Sequence, residues 1–518
     1  MKAHLLYPDR DFDFGAPLPP GHEDLVSDLE LGIVLQAMAD GDKFLHETCA
    51  KVLLAPVRDA EAIRYRQAVL TDCIARPAVI RDIYTLATAA LTDRSHFWGL
   101  YGAHYQTPSS NLSGALSHLE SYTARLRQLR KIAGSHAGEF RSPGLATLFA
   151  VLQEQLDDEY FAEVAAHLKR LRFRDGVLIS AELAADSTGV NFVLRAPSST
   201  ARYPWREWLR IDPRSSYGFT LAPRDDAGGR ILEDLTGRGV NLVANAAAQS
   251  ADHIASYFTM LRAEAGFYVG CLNLHDQLTA RESPVTFPEP VAPETGTFSC
   301  AGLRDAALAL RSPDPVVGND VTANGKTLVI ITGANSGGKS TFLRSVGQAQ
   351  LMMQCGLFTV AASYTADVAT GVFTHFIRAE DASMTSGRLD DELRRMSVLA
   401  GRLSPHCLML FNESFAGTNE REGSEIGYQV VSALLDARIR VLFVTHRYDF
   451  AERFRRQHAA TTLFLRAERR PDGQRKFKLA VNDPLPTSFG EDLYYRLGGW
   501  LEENPRCSPH DREDFLAL

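Results

Sequence analysis

The chain has 518 residues, of which 45% are apolar, and its formal net charge is −8. Because a single hydrophobic core stops growing near about 250–300 residues, a chain of this length divides into at least two domains. The net negative charge excludes an overall positive electrostatic potential, so a polyanionic partner would have to bind a local basic surface.

Cysteine usage and hydropathy predict a cytoplasmic protein without a membrane partner. The seven cysteines are an odd number and include no C-x-x-C pair, which is typical of reduced thiols in a cytosol. The N-terminus does not resemble a signal peptide, since charged residues surround only a short apolar patch. No stretch approaches the ~20 apolar residues that a membrane-spanning helix needs.

The first part of the chain, residues 1–176, is predicted to be a helical core. Apolar residues recur at spacings of three and four residues from Leu145 to Leu171, and this pattern predicts one long helix. Such a stripe is normally a buried face. A helix of this length would also act as a strut between distant sites.

The next region, residues 177–250, is predicted to be a β-rich, clamp-like insertion. Its apolar period shifts towards two, and residues 177–183 and 191–195 are candidate strands. Helical spacing then returns, and a run of prolines follows it. Residues 251–297 are therefore predicted to be a returning helix and a proline-rich linker.

The last region, residues 298–518, alternates short apolar strands with helical stretches, which is typical of an α/β nucleotide-binding domain. A buried-strand run at 327–332 leads into the sequence Gly-Ala-Asn-Ser-Gly-Gly-Lys-Ser-Thr. This G-x-x-x-x-G-K-S pattern between a strand and a helix is a phosphate-binding loop in its required context. The residues expected to bind nucleotide are Gly333, Ala334, Asn335, Ser336, Gly337, Gly338, Lys339, Ser340 and Thr341.

The loop predicts a site for ATP and Mg²⁺. Its backbone N–H groups point inward and cradle phosphates at a helix N-terminus. Lys339 is expected to reach the β- and γ-phosphates, and the hydroxyl of Ser340 is expected to ligate Mg²⁺.

Two further apolar strand runs end in polar residues. Residues 407–411 precede Asn412 and Glu413, and residues 440–445 precede His446. An open α/β sheet binds its ligands at the carboxyl ends of its strands. Glu413 is the candidate that orients and polarises the attacking water, and His446 is the candidate that senses the γ-phosphate. Farther on, an Asp-Gly turn signal lies between two apolar runs, and this pattern predicts a β-hairpin.

These motifs together resemble the ATPase domain of the MutS family of DNA mismatch repair proteins. The similar segments are residues 316–320, 331–344, 373–381, 413–423 and 444–446. In that order they resemble the family's lead-in, its phosphate loop, the segment linking nucleotide to the partner subunit, the stretch after the catalytic glutamate, and the histidine loop. The resemblance is firm over about residues 300–500 and looser in the helical core.

The resemblance implies an ABC-type P-loop ATPase domain preceded by an α-helical core or lever domain with a small β-rich insertion. It implies a homodimer that closes over two ATP molecules and grips DNA, acting in repair or recombination, with mismatched or branched DNA as candidate ligands. The N-terminal mismatch-reading domain of some relatives is expected to be absent, so mismatch recognition is not inferred from the family name.

The chain departs from the family pattern in two functional elements. The aspartate that holds Mg²⁺ in the family is Asn412 here, so a neutral amide replaces a charge and slow hydrolysis is expected. In place of the family's Ser-Thr-Phe element, which faces the partner's nucleotide, the chain has Ser386, Gly387 and Arg388. These residues are candidate contacts in trans to the opposing γ-phosphate, and a surface turn is the alternative.

The sequence is also compatible with other functions. The main alternative is an ATP-dependent switch with weak hydrolysis and a protein or RNA client, which the β-rich insertion would recognise. A nuclease is a third class, but no metal-ligand cluster is visible outside the ATPase region. Phe298 is a candidate for the adenine pocket.

Overall fold

The computed structural model describes residues 2–486, apart from 101–106, 175, 187, 197–217, 219, 379–386 and 471–473. In these residues the helices are α1 (His22–Asp28), α2 (Leu31–Ala39), α3 (Lys43–Leu54), α4 (Ala60–Ala75), α5 (Pro77–Leu100), α6 (Pro108–Ser135), α7 (Pro143–Gln155), α8 (Asp158–Leu171), α9 (Asp226–Thr279), α10 (Ala306–Arg311), α11 (Lys339–Gln354), α12 (Arg388–Ala400), α13 (Glu420–Asp436) and α14 (Tyr448–His458). The strands are β1 (Ile179–Leu183), β2 (Gly189–Leu194), β3 (Glu289–Val291), β4 (Phe298–Leu303), β5 (Asn319–Thr322), β6 (Leu328–Gly333), β7 (Ser363–Asp367), β8 (Val372–Phe376), β9 (Leu408–Asn412), β10 (Arg440–Val444), β11 (Thr462–Arg469) and β12 (Arg475–Val481).

The chain separates into two compact units. One unit contains Met1–His4 and Ala78–Ala265, and the other contains Leu5–Pro77 and Gly266–Leu518. The division differs from the boundaries expected from sequence, because most of the first 77 residues belong with the C-terminal half instead of with a core over residues 1–176. The expected domain boundaries stay predictions.

The first unit corrects the expectation of one long helix between Leu145 and Leu171. Helix α7 ends before Leu156, whose backbone is not helical, and Asp157 then caps α8 by accepting the N–H of Tyr160 at 2.7 Å. Apolar spacing continues across this break, so periodicity does not reveal it. The local carboxylate cap ends one helix and starts another.

The predicted small sheet is present as a two-stranded hairpin. Strands β1 and β2 pair antiparallel, with Ile179 opposite Leu194 and Leu183 opposite Gly189. The structure differs from the expected β-rich insertion over 177–250 in its second half, since α9 begins at Asp226. Glycines in the first turns of α9 weaken the helical signal there, although the packed structure is helical.

The second unit is built on a six-stranded sheet in the order β12-β11-β6-β10-β9-β8. All neighbours are parallel except β12, which pairs antiparallel with β11 as the predicted hairpin. A four-stranded sheet, β3-β7-β4-β5, accompanies it. This confirms the expected α/β domain. Strand β6 is central, and all six of its residues are buried.

Residues 5–77 support the helix that follows the glycine-rich loop. The side-chain amide of Gln348 on α11 donates to the carbonyl of Leu29 at 2.9 Å, and that of Gln354 donates to the carbonyl of Val57 at 2.9 Å. Both glutamines are buried, so their amides need these partners. The N-terminal residues therefore fix the position of α11.

Within the residues that the structure describes, no helix is long and apolar enough to cross a membrane. The six cysteines in these residues are buried and form no disulfide.

Candidate functional site

The glycine-rich loop joins β6 to α11 with the backbone that a phosphate loop requires. Gly333 and Gly338 have φ angles of 106° and 89°, in the left-handed region. A Cβ atom on Gly333 would lie 2.8 Å from the backbone nitrogen of Ala467 on β11. No other residue fits at Gly333, because both the φ angle and the space demand glycine. Gly338 is the N-cap of α11, so the helix N-terminus opens onto the loop.

Lys339 folds back onto the loop that contains it. Its Nζ donates to the carbonyls of Gly333 and Ala334 at 3.0 and 3.1 Å and lies 3.3 Å from Nε2 of His446. Burial, with a contribution from Arg475, lowers the pKa of Lys339 to about 8. The ammonium group is thus held at the loop by neutral carbonyls, and a bound phosphate would give it a negatively charged partner.

Ser340 and Asn412 place two oxygen atoms together beside the loop. The Ser340 hydroxyl donates to Oδ1 of Asn412 at 2.9 Å. Hydroxyl and amide oxygens are hard donors of the kind that Mg²⁺ accepts when phosphates and water complete its shell. The two residues therefore fit a magnesium site, with a neutral amide where a carboxylate would attract the ion more strongly.

Glu413 and His446 meet at the ends of β9 and β10. Nε2 of His446 lies 3.1 Å from Oε1 of Glu413, and the backbone N–H of His446 donates to Oε2 at 3.2 Å. Burial raises the pKa of Glu413 to about 7 and, with nearby Lys339, lowers that of His446 to about 4. A carboxyl group that titrates near neutral pH is suited to accept a proton from water.

His375 and Arg447, which the sequence analysis did not predict as site residues, hold the turn after β9. Glu413 and Phe415 have φ angles of 54° and 63°, which are strained for side chains of this size. His375 on β8 bonds through Nδ1 to Ser414 Oγ at 2.8 Å. Arg447 donates to the Phe415 carbonyl at 2.7 Å, among other carbonyls of the same loop. His375 lies within the segment 373–381, but nothing in the sequence around His375 or Arg447 signals that either residue holds this turn.

Replacement of His375 by glutamine is expected to reduce the amount of folding stability that the protein loses at acid pH. Burial lowers the pKa of His375 from 6.5 to about 4, with Arg395 acting in the same direction and Asp391 opposing it. The unfolded chain therefore takes up the proton first, so folding stability falls as pH drops from 6.5 towards 4. The loss between pH 6.5 and pH 5 is about 1.5 kcal/mol.

Thermal unfolding of wild type and His375→Gln at pH 6.5 and pH 5 measures this loss. The exposed His253 supplies the control, His253→Gln, which should keep the wild-type dependence. Equal slopes for wild type and His375→Gln would show that the buried imidazole is not the group that titrates.

The other predicted loop residues surround the same turn. Asn335 accepts from Arg475 at 3.0 Å through its carbonyl, Ser336 is exposed with a φ angle of 57°, and a Cβ on Gly337 would lie 2.7 Å from that of Ala467. Thr341 is half-buried in the first turn of α11.

The candidate trans contacts are described only in part. Ser386 lies outside the described residues, whereas Gly387 is the N-cap of α12 and Arg388 is its first residue. The Arg388 guanidinium is 3.8 Å from the buried carboxylate of Glu392 on the same helix. Within its own chain, Arg388 is thus turned to an intrahelical acid. The adenine candidate Phe298 is wrong, since its ring is 3% exposed and packs edge-on against Tyr364.

Two family models match the chain. Residues 58–281 match the model described as the MutS2 N-terminal domain, and residues 329–491 match the model of MutS domain V. The second match contains the glycine-rich loop together with Glu413 and His446.

In the described residues, no group of three or more His, Cys, Asp or Glu side chains is placed to hold a metal ion.

Individual relatives carry related names. The chain is 29% identical to MutS protein homolog 4 of Mus musculus over 46% of this chain and 25% of that protein. It is 28% identical to the DNA mismatch repair protein MutS of Porphyromonas gingivalis, over 38% of this chain and 24% of that protein. It is 27% identical to Endonuclease MutS2 of Lacticaseibacillus casei, over 38% of this chain and 25% of that protein. The matches span about a quarter of the length of these relatives.

Proposed function

Because this chain belongs to the MutS family, we propose that it is an ATPase that couples ATP binding and hydrolysis to DNA binding in repair or recombination. The observation that carries this proposal is the cluster of Lys339, Glu413 and His446 around the phosphate loop. These residues supply a cation for phosphates, a carboxyl group that titrates near pH 7, and a neutral imidazole within 3.3 Å of the cation.

Each residue of the cluster has a separate task in hydrolysis. The N–H groups of the loop bind the phosphates, and Lys339 leaves its carbonyl partners to contact the terminal phosphates. Glu413 orients water and takes its proton, while His446 holds Glu413 through its backbone N–H. Mg²⁺, held by Ser340 and Asn412, would neutralise phosphate charge when bound. Because Asn412 is neutral, we expect the metal to bind weakly and hydrolysis to be slow.

The active form in this proposal is a homodimer that closes as a clamp. ATP in one protomer is contacted by the segment at Ser386, Gly387 and Arg388 of the other, so the γ-phosphate favours the closed form and hydrolysis removes that preference. Arg388 would exchange Glu392 for the opposing phosphate. The long helices α5, α6 and α9 would carry the movement to DNA.

Phosphate release by the full chain tests the proposal directly. Turnover is measured alone and with duplex, mismatched, branched and single-stranded DNA, and DNA affinity is measured at low and moderate salt. We expect DNA to change turnover, and we expect affinity to fall steeply with salt because the contacts are to phosphates. The clamp proposal would be contradicted if none of these DNAs changed the rate of ATP turnover, or if the protein stayed monomeric with saturating ATP and Mg²⁺.

An ATP-dependent switch with a protein or RNA client is the second candidate, and features of the first unit favour a protein. Arg127 lies 4.9 Å over the ring of Phe161, and Arg172 bonds both carboxylate oxygens of Glu120. These arginines are thus engaged within the chain. Large apolar side chains are exposed on the hairpin and the start of α9, namely Leu183, Val190, Val193, Ile231, Leu232, Leu235 and Leu242. DNA affinity that does not change with salt would favour this candidate.

A further inference from the structure

The two side-chain oxygen atoms beside the phosphate loop, those of Ser340 and Asn412, are both neutral. The Ser340 hydroxyl donates to Oδ1 of Asn412 at 2.9 Å. An amide oxygen holds Mg²⁺ less tightly than a carboxylate, because proteins usually bind this ion through one or two carboxylates together with substrate phosphates. The same amide repels the phosphates of a nucleotide less than a carboxylate in its place would. Asn412 therefore weakens the metal site and removes a charge that would oppose a triphosphate without its metal ion.

A second cation, Arg475, contacts the loop from another strand. Arg475 is the first residue of β12, which lies on the opposite side of β6 from β9 and β10. Its Nε donates to the carbonyl of Asn335 at 3.0 Å. Lys339 bonds the two preceding carbonyls, those of Gly333 and Ala334. Two side-chain cations therefore hold three consecutive carbonyls of the same loop.

The charges of these two cations oppose each other in the nucleotide-free protein. Burial lowers the pKa of Lys339, and the positive charge of Arg475 lowers this pKa further. The guanidinium of Arg475 stays charged at neutral pH, and its planar fork of N–H donors matches the oxygens of a phosphate. A bound triphosphate would relieve the repulsion and give both side chains charged partners in place of neutral carbonyls.

We propose that Arg475 contacts the phosphates of bound ATP together with Lys339, and that the site thereby binds metal-free ATP almost as tightly as it binds ATP with Mg²⁺. The guanidinium supplies part of the positive charge that the metal ion would otherwise supply, and the neutral Asn412 does not oppose the phosphates. Capture of the nucleotide therefore does not require the ion. This inference rests on the proposed nucleotide site and names the ionic form of ATP that the site accepts.

Calorimetry of ATP binding to the full chain, with Mg²⁺ and with a chelator in its place, tests the proposal. For the wild type we expect the two affinities to agree within about threefold, which is less than the roughly tenfold that one charge-assisted bond contributes. Arg475→Met should lower the affinity for metal-free ATP about tenfold and the affinity for ATP with Mg²⁺ by less, since the ion then neutralises the phosphates. Arg475→Lys keeps the charge and should retain most of the metal-free affinity.

Two further variants control for the loss of a charge and for the missing carboxylate. Lys478→Met removes a positive charge from the same strand, where Nζ pairs with Asp320 at 3.1 Å at the surface, and it should bind both forms of ATP as the wild type does. Asn412→Asp returns a carboxylate to the site, so it should weaken the binding of metal-free ATP at least about tenfold and make binding depend on Mg²⁺.

The outcomes separate this inference from the function on which it rests. If the wild type binds ATP only with Mg²⁺, the inference is wrong and the nucleotide site stands. If Arg475→Met binds both forms as tightly as the wild type, or loses both forms equally, Arg475 only supports the loop and does not replace the charge of the ion. If the wild type binds ATP under neither condition, the nucleotide site and the inference both fail.

Discussion

Replacement of Glu413 by glutamine is expected to lower phosphate release by a factor of about 10²–10³ and to leave ATP bound as tightly as in the wild type. The carboxyl group is the only described acid that contacts His446 at the loop, through Oε1 at 3.1 Å. Its pKa of about 7 leaves a large fraction ionised at neutral pH and ready to accept a proton.

The substitution is conservative in shape. A glutamine oxygen still accepts the backbone N–H of His446, which Glu413 binds at 3.2 Å, so the strained turn keeps its partner. What the variant loses is the ability to take a proton from water. Steady-state phosphate release and equilibrium ATP binding, measured together, therefore separate a chemical defect from a binding defect.

The neighbouring residue offers a control that acts in the opposite direction. Asn412→Asp places a charge beside Ser340, so we expect tighter Mg²⁺ binding and faster turnover at low Mg²⁺. If Glu413→Gln turned over ATP as the wild type does, Glu413 would only stabilise the loop. If Asn412→Asp left the dependence on Mg²⁺ unchanged, the neutral amide would not be the cause of slow hydrolysis.

Replacement of Lys339 by methionine is expected to weaken ATP binding about 100-fold, since charge-assisted bonds to phosphate contribute about 1.5–3 kcal/mol. The same change should not lower the melting temperature of the nucleotide-free protein. Lys339 is 5% exposed, and burial lowers its pKa from 10.5 to about 8. At neutral pH the buried charge therefore opposes folding, and a methionine of similar length removes it without leaving a cavity.

Lys326 provides the matched control for this charge. It precedes β6, and its Nζ donates at the surface to the carbonyl of Ala460 at 2.7 Å. Lys326→Met removes the same charge from the same unit and should bind ATP as the wild type does. A Lys339→Met variant that kept its ATP affinity would show that the loop binds no phosphate through this side chain.

Much of the candidate site could be predicted from the sequence because its signals are local. The run from β6 through the loop into α11 combines an apolar strand, glycines and a lysine within about 14 contiguous residues, each placed by the chain itself. Glu413 and His446 were predicted because each directly follows an apolar strand. Their proximity then follows from the rule that parallel strands end at one edge.

The sequence by itself therefore determined the α/β class, the hairpin of β11 and β12, and the loop with its strand-terminal partners. Only the tertiary structure decided that residues 5–77 pack with the C-terminal half, and that His375 and Arg447 border the site. The physical reason is distance along the chain. A period or a turn is encoded by neighbouring residues, whereas the contact of His375 with Ser414 joins residues 39 positions apart and exists only once the sheet has assembled.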